Sequence, residues 1–204
     1  MSQEAVMKKI IRYNLEIFTA ILLIFCISAV IFRKDLPLIS RLAAGYMFLY
    51  MLHEWEEGRI PGGFYDLFFG RVGVEVKGDT NAMHIPAAIM IIVFTALPFF
   101  FPGARILIVP PICLSLFEGF IHTLGIKLMQ TKKPYTPGMV TAWLMFIFAV
   151  YSIIVLPPLP AGTWILGILL LLIEFFTMQA SFIHLAGYSY KELIPLFRKN
   201  VLGR

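Results

Sequence analysis

Six apolar runs, each about as long as a membrane-spanning helix, constrain the fold of this chain more than any other feature. They lie at roughly 13–33, 38–57, 81–102, 105–129, 139–158 and 162–188. A helix needs about 20 apolar residues to cross a bilayer. Hydrophobic residues make up 59% of the chain and charged residues 14%, against about 45–50% and about 25% in soluble domains. We therefore predict one all-α domain, residues 1–204, forming a polytopic membrane bundle of about six transmembrane helices.

Two of the runs are interrupted. Arg41 lies within the second run, and "VPP" at 109–111 lies near the start of the fourth. Proline has no backbone N–H and is tolerated in the first turn of a helix, where that group has no partner. We expect a kink or a 3₁₀ turn at the start of the fourth helix.

The basic residues are distributed unequally between the two sides of the predicted bundle. If the N-terminus is cytoplasmic, thirteen of the 17 lysines and arginines lie on the cytoplasmic side and four on the other. The positive-inside rule therefore predicts that both termini are cytoplasmic, in a multi-pass protein of the inner membrane. Contact with anionic membrane lipid accounts for the net charge of +5, so no nucleic-acid partner is expected.

All four histidines fall at the predicted cytoplasmic ends of four different helices. His53 lies in "MLHEWEEGR", His84 in "NAMH", His122 in "FEGFIHTLG" and His184 in "SFIHLAGY". Charge and hydropathy alone predict this topology, so the common depth of the histidines is an independent observation. It indicates one polar site at the cytoplasmic face.

The spacing within these segments places carboxylates beside the histidines. His53 and Glu57 are four residues apart, as are Glu118 and His122, and residues at this spacing share a helix face. Glu118 lies about 13 Å deeper than Lys127, at about 1.5 Å per residue, where an unpaired carboxylate is costly. Facing histidines and glutamates build metal sites in helix bundles. The predicted ligands of a divalent metal are His53, Glu57, His84, Glu118 and His122, the predicted catalytic carboxylates are Glu56, Glu57 and Glu118, and the predicted supporting residues are Tyr50, Asn81, His184 and Tyr188.

Histidine with carboxylate suits zinc best, with iron or manganese as alternatives. Glu174, near the middle of the sixth run, is either a proton-relay group or a protonated, hydrogen-bonded core residue. Cys26 and Cys113 form no CxxC motif and are expected to be buried hydrophobic residues.

Three segments outside the apolar runs have their own signals. "FYDLFFGRV", within the loop 58–80, predicts a short helix whose phenylalanines dip into lipid, and this loop is either a lid or a plain connector. "KKPYTPG", 132–138, predicts a turn in which Thr136 caps a helix that starts at Pro137. The tail 189–204 predicts a surface-lying amphipathic segment.

Two of these motifs together resemble a known family. His53-Glu54-Trp55-Glu56-Glu57 is similar to the signature of the HXXEE-motif bacterial membrane proteins, and "EGFIHTLGIKL…KPYTPGMVTA", 118–142, is similar to that family's histidine followed by a Tyr-x-Pro-Gly turn. The resemblance implies an integral membrane protein of uncharacterised function. It supports the choice of residues and supplies no reaction.

Three functions are compatible with this pattern. The first is a metal-dependent hydrolase that acts on a lipid-like or amphipathic small molecule, with a glutamate as general base. The second is a di-iron or di-manganese oxidoreductase, although the usual Glu-x-x-His spacing is absent. The third is a small proton-coupled transporter, which should carry polar groups along a whole path rather than at one end. The clustering at one end favours the hydrolase.

Overall fold

The computed structural model describes residues 2–203, and all regular structure in that range is helical. This confirms the predicted all-α class. The helices are α1 (Gln3–Arg12), α2 (Asn14–Ile31), α3 (Leu38–Gly58), α4 (Phe64–Val72), α5 (Ile85–Phe100), α6 (Val109–Leu128), α7 (Met139–Val155), α8 (Ala161–Leu185) and α9 (Tyr190–Asn200). A 3₁₀ turn leads into α5 at Ala82–His84 and another into α6 at Arg105–Ile108.

Four of these segments are long and apolar enough to cross a membrane: Asn14–Ile31, Ala82–Phe100, Arg105–Leu128 and Ala161–Leu185. The other two predicted spans coincide with α3 and α7. Helix α7 is apolar but has 17 residues, about 26 Å against a hydrocarbon core of about 30 Å. Helix α3 has 21 residues but carries Arg41 and three glutamates. The count of six spans therefore stays a prediction.

Helix α3 lies at the centre and its neighbours run antiparallel to it. Trp55 donates a hydrogen bond from Nε1 to the Thr19 hydroxyl on α2, while Ser40 at the other end of α3 donates to the carbonyl of Phe99 on α5. Tyr46 donates to Ser152 near the end of α7. Because α3 is buried by these helices, it can carry polar residues that a lipid-facing helix could not.

Helices α6 and α8 run parallel to α3. Ser115 on α6 donates to the Tyr50 hydroxyl on α3, and the Phe117 ring on α6 packs edge-on against Phe175 on α8 at 5.6 Å. The ends of α3, α6 and α8 therefore meet the starts of α2, α5 and α7 at one end of the bundle. We call this the histidine end, since it contains His53, His84 and His122.

Apolar side chains cover the outer surface. Val30, Ile154 and Ile173 are 76%, 75% and 64% exposed, and many other isoleucines and leucines accompany them. In a soluble monomer, an apolar surface of this extent would promote aggregation. It fits helices whose outward faces contact lipid.

The short helices α4 and α9 pack together at the histidine end. Phe69 and Val72 of α4 form a small hydrophobic cluster with Leu193 of α9 and Ile183 of α8. The predicted helix at "FYDLFFGRV" is thus present, but Phe69 is 2% exposed and packs against protein rather than lipid. Protein contacts replace lipid because α9 folds back over α4.

The starts of α6 and α7 can be compared with the sequence. A 3₁₀ turn precedes α6, with Pro110 and Pro111 in the first helical turn, as predicted. The predicted cap of α7 was wrong. The helix begins at Met139 rather than Pro137, and Thr136 is not its cap. Thr136 is turned instead toward His122.

Candidate metal centre

Two histidines and a glutamate from α3 and α6 meet at the histidine end. One ligand atom from each of His53, Glu118 and His122 lies within 4.8 Å of the others. The Nε2 atom of His122 lies 3.4 Å from Glu118 Oε2, and that of His53 lies 3.9 Å from the same oxygen. Both histidines are 4% exposed. The i,i+4 pair on α6 and the parallel packing of α3 against α6 bring these three groups together.

Glu57 completes the group on the α3 side. Its Oε1 lies 3.2 Å from His122 Nε2 and 3.6 Å from His53 Nε2. Ligand atoms about 2.0–2.1 Å from a zinc ion in a tetrahedral site lie about 3.3 Å from one another. The separations between the two Nε2 atoms and the two carboxylates run from 3.2 to 3.9 Å, near or somewhat above that value. The group of His53, Glu118 and His122 could therefore hold a metal ion.

The second ring nitrogen of His53, Nδ1, acts as a hydrogen-bond donor. Nδ1 lies 3.1 Å from the carbonyl oxygen of Gly138 and 3.0 Å from Thr141 Oγ1. A carbonyl oxygen only accepts, so Nδ1 must carry the proton. The Thr141 hydroxyl donates its own proton to Glu56 Oε2 at 2.6 Å and accepts from the ring. In the neutral ring, Nε2 therefore carries the lone pair that a metal would use.

His122 is oriented in the same manner. Its Nδ1 lies 3.1 Å from the Thr136 hydroxyl, and that hydroxyl donates to the carbonyl oxygen of His122 at 3.2 Å. The hydroxyl has one proton, so it accepts from Nδ1–H. Each histidine thus has a threonine that fixes its tautomer and turns Nε2 toward the carboxylates. Metal-binding histidines typically have such a partner.

Glu56 occupies a different position from its neighbour Glu57. Its carboxylate accepts hydrogen bonds from the backbone N–H groups of Val140 and Thr141, the Thr141 hydroxyl and the Tyr135 hydroxyl. It therefore caps the start of α7, where unpaired N–H groups and the helix dipole favour a negative charge. Partial burial and the bond to Glu56 raise the pKa of Tyr135, so Tyr135 remains a donor at neutral pH.

His84 lies outside the His53–Glu118–His122 group. Its Nδ1 is 3.4 Å from Glu54 Oε2 and 3.5 Å from the Tyr65 hydroxyl, and both His84 and Glu54 are 4% exposed. A Cβ on Gly58 would lie 2.6 Å from the His84 ring, so this glycine permits the close approach. His84 and Glu54 form a second buried pair beside the first group.

The predicted supporting residues are spread over the histidine end. The Tyr50 hydroxyl donates to the Pro111 carbonyl and accepts from Ser115, directly below the group. Asn81 instead bonds to the Asp79 carboxylate. His184 is exposed, and Tyr188 donates to the Glu75 carbonyl at 2.6 Å. The structure brings only Tyr50 to the group.

Gly138 packs tightly against three side chains of the group. Its φ is +89°, and a Cβ there would lie 2.7 Å from Glu57 and His122 side-chain carbons and 2.8 Å from His53. Only glycine meets both the conformational and the steric demand. The Tyr-x-Pro-Gly turn could have indicated this residue, because its position follows directly from the motif.

The residues that sequence reasoning missed as site components act through other side chains. Thr136, Thr141 and Glu54 carry the hydrogen bonds described above. The sequence predicts Thr136 to be a helix cap, and Glu54 lies off the His53–Glu57 face of α3. No spacing rule connects residues on different helices, so only the packing of α3 against α5, α6 and α7 reveals them.

A cavity of about 440 Å³ opens next to the His-Glu-His group. His53, Glu57, Glu118 and His122 line one part of it, and most of the remaining wall is apolar. Helices α4, α6, α8 and α9 contribute that wall, with Phe68, Phe117, Phe175, Met178, Phe182 and Leu193 among its residues. Glu174, on α8, is half-buried and does not line the cavity.

Fold and site define the class of this protein. It is a helical bundle with segments able to span a membrane and a buried histidine–glutamate group beside an apolar cavity. The chain belongs to the family described as "Protein of unknown function with HXXEE motif", whose sequence model matches residues 44–154. His53, Glu56 and Glu57 supply the letters of that motif. Neither the curated proteins nor the solved structures include a match to the chain.

Proposed function

We propose that this protein is a metal-dependent integral membrane hydrolase that acts on a lipid-like or amphipathic small molecule. One observation carries the proposal: the Nε2 atoms of two buried histidines converge with a glutamate carboxylate, while both Nδ1 atoms are bound by threonine hydroxyls. This arrangement leaves both Nε2 lone pairs available for a metal.

The donor set favours hydrolytic chemistry. His53, Glu118 and His122 would supply the two-histidine, one-glutamate ligand set of catalytic zinc sites, and a zinc ion held there would supply Lewis-acid activation of a water molecule. Glu57 lies within 3.6 Å of both Nε2 atoms and serves as the general base. It takes a proton from the water as the oxygen attacks the substrate, and returns it to the leaving group.

The surroundings favour a lipid-like substrate. The cavity wall is mostly apolar, and the helix ends that carry the group lie where lipid headgroups meet the hydrocarbon region in the proposed cytoplasmic-side orientation. A scissile ester or phosphoester of an amphiphile would lie at this depth. The depth of the histidine–glutamate group and the apolar wall of the cavity together support the inner membrane as the location of the reaction.

Metal analysis of the purified protein tests the proposal. We expect about one zinc per chain in the wild type, and loss of that zinc in His53→Ala and Glu118→Ala without unfolding. His184→Ala is the matched control, because His184 is an exposed histidine at the same end, and it should retain the metal. Full metal content in both site variants would contradict the site.

The identity of the metal separates the alternatives. Two irons or two manganese ions per chain would favour the oxidoreductase. Protein that binds no metal after gentle purification, and takes none up on addition of zinc, iron or manganese, would favour the proton-coupled carrier.

A further inference from the structure

Helix α1 has an apolar side that the part of the chain described by the structure leaves largely uncovered. Val6, Met7 and Ile10 lie on this side, at spacings of three and four residues, and are 37%, 57% and 45% exposed. Lys8 and Arg12 share the opposite side. None of the ten residues of α1 is buried. An isolated helix of this length is marginal in water, so its apolar side needs a surface to pack against.

The chain bends between α1 and α2, at Tyr13. This residue has φ −105° and ψ 20°, whereas a regular α-helix has about −63° and −42°. Helix α1 therefore does not continue the axis of α2, which is a candidate membrane span that begins at Asn14. Tyr13 is 47% exposed, and tyrosine is enriched where the hydrocarbon region meets the headgroups. The bend thus suits the depth at which a helix turns into the membrane plane.

The apolar side of α1 leads into the lipid-facing side of α2. Ile10 is followed at helical spacing by Tyr13 and Ile17, three and seven residues further on. Ile17, Ile21 and Ile24 of α2 are 43%, 38% and 64% exposed, on the outer surface of the candidate span. Since the apolar side of α1 is continuous with a surface that faces lipid, we expect it to face lipid as well.

The charges of α1 indicate the kind of lipid. Lys8, Lys9 and Arg12 are exposed, and with one acidic residue, Glu4, they give the helix a net charge of +2. Basic residues near a membrane surface attract anionic headgroups, and each strengthens binding roughly fivefold. Their long side chains reach phosphate groups while the apolar side of the helix stays among acyl chains. This charge complementarity favours an anionic lipid surface.

We propose that α1 lies in the plane of the membrane surface at the histidine end, with its apolar side among acyl chains and its basic residues at the phosphates of anionic lipids. The guanidinium of Arg59, one residue beyond α3, donates to the Arg12 carbonyl at 3.4 Å. The anchored helix is thereby tied to the end of α3 and fixes the depth of the histidine end in the membrane. The inference involves no metal, so failure of the metal site leaves it unaffected.

The accessibility of a nitroxide label on the full chain tests the proposal. The protein, with Cys26 and Cys113 replaced by alanine, is labelled at Met7→Cys in nanodiscs of equal parts phosphatidylcholine and phosphatidylglycerol. We expect oxygen, which is enriched in lipid, to relax this label more than a water-soluble nickel chelate does. The matched label at Lys9→Cys, on the opposite side of α1, should show the reverse preference.

Two results of this measurement would overturn the proposal. One is a Met7 label that the nickel chelate reaches as readily as it reaches the Lys9 label, because α1 would then lie in water. The other is a Met7 label shielded from both oxygen and the chelate, because its apolar side would then be covered by a protein partner.

Ile10→Asp, made in the Met7-labelled protein, removes an apolar contact with lipid. The ratio of lipid-immersed to water-exposed label should fall tenfold or more, because the burial of an isoleucine side chain is lost. The variant should melt like its parent, since no residue of α1 is buried. Ile60→Asp, at a loop isoleucine that is 72% exposed at the same end, should leave the ratio unchanged. An unchanged ratio in Ile10→Asp would contradict the in-plane position of α1.

Combined Lys8→Gln and Lys9→Gln tests the contact with anionic lipid. The same ratio should fall roughly 25-fold in nanodiscs with phosphatidylglycerol, at about fivefold for each lysine, and stay constant in phosphatidylcholine alone. Combined Lys132→Gln and Lys133→Gln, at an adjacent pair of exposed lysines outside α1, should leave the ratio unchanged in both lipids. Equal ratios for the α1 variant and its parent in phosphatidylglycerol would overturn the anionic contact.

Discussion

At the scale of single residues, the site is defined by which ring nitrogens of its two histidines are hydrogen-bonded to threonine and which face the carboxylates. Thr136 and Thr141 bind the Nδ1 atoms of His122 and His53, and this leaves both Nε2 atoms facing carboxylates. Glu56 and Glu57 are adjacent in the chain, yet Glu56 is fully occupied as a cap of α7. The two glutamates therefore have separate roles. Glu56 binds the start of α7, and Glu57 belongs to the histidine–glutamate group.

Thr136→Val tests the role of the threonines. The change keeps the shape of the side chain but removes the acceptor for His122 Nδ1–H, so the ring loses its fixed orientation. We expect metal affinity to fall about 10-fold to 100-fold, measured by competition with a chromogenic chelator. Thr177→Val, at an exposed threonine of α8, should bind metal as the wild type does, and equal affinity in both variants would rule out the proposed role of Thr136.

Glu56→Gln tests the capping role. An amide places an N–H₂ group where the carboxylate accepts hydrogen bonds from donors on α7 and from Tyr135. We expect a loss of about 1–3 kcal/mol in the free energy of unfolding, seen as a lower melting temperature in detergent. Glu4→Gln, at an exposed pair with Lys8, should melt like the wild type. An unchanged melting temperature for Glu56→Gln would show that the cap contributes little.

At the scale of helices, close backbone approach holds the bundle together. A Cβ on Gly167 of α8 would lie 2.4 Å from the Val109 Cβ on α6, and one on Gly119 of α6 would lie 2.8 Å from the Phe146 Cβ on α7. Small residues at helix contacts are typical of membrane bundles, where van der Waals packing replaces the hydrophobic effect between helices. These contacts set the distance between the helices that line the cavity.

Gly167→Val should separate α6 from α8. The added side chain overlaps Val109 at a contact that has no spare space, and such overpacking costs about 1–3 kcal/mol. Thermal unfolding in detergent should show a clear decrease in melting temperature. Gly162→Val is the control on the same helix, because nothing lies within 4 Å of a Cβ there. Two equally stable variants would mean that α6 and α8 do not pack closely at this point.

At the scale of the whole molecule, the helices alternate in direction and bring all four histidines to one end, where His184 is exposed. The start of α2 lies at this end, since Asn14 donates to the Asn81 carbonyl, and so does the end of α8, whose Ala186 carbonyl accepts from Lys77. The chain therefore enters the bundle at α2 and leaves it at α8 on the same side. The distribution of basic residues predicts that this side is cytoplasmic.

Reporter fusions in a bacterial host test this orientation. Green fluorescent protein fused after the C-terminus should fluoresce, and alkaline phosphatase at the same point should be inactive, because both remain in the cytoplasm. Phosphatase inserted between α5 and α6, near Gly103, should be active on the opposite side. The reverse pattern would place the site at the outer face and would contradict the proposed location of the reaction.

The sequence alone determined the helical class, the helix boundaries to within a few residues and the i,i+4 pairs, because all three depend on local periodicity and on burial in lipid. His53 with Glu57 and Glu118 with His122 are properties of single helices. The tertiary structure decided which pairs meet. In that structure α3 packs against α6, and His84 lies beside Glu54. His184 is exposed, and the Glu56 carboxylate binds the start of α7. Contacts between helices depend on crossing geometry and on close approaches such as Gly138, and no spacing within one helix encodes them.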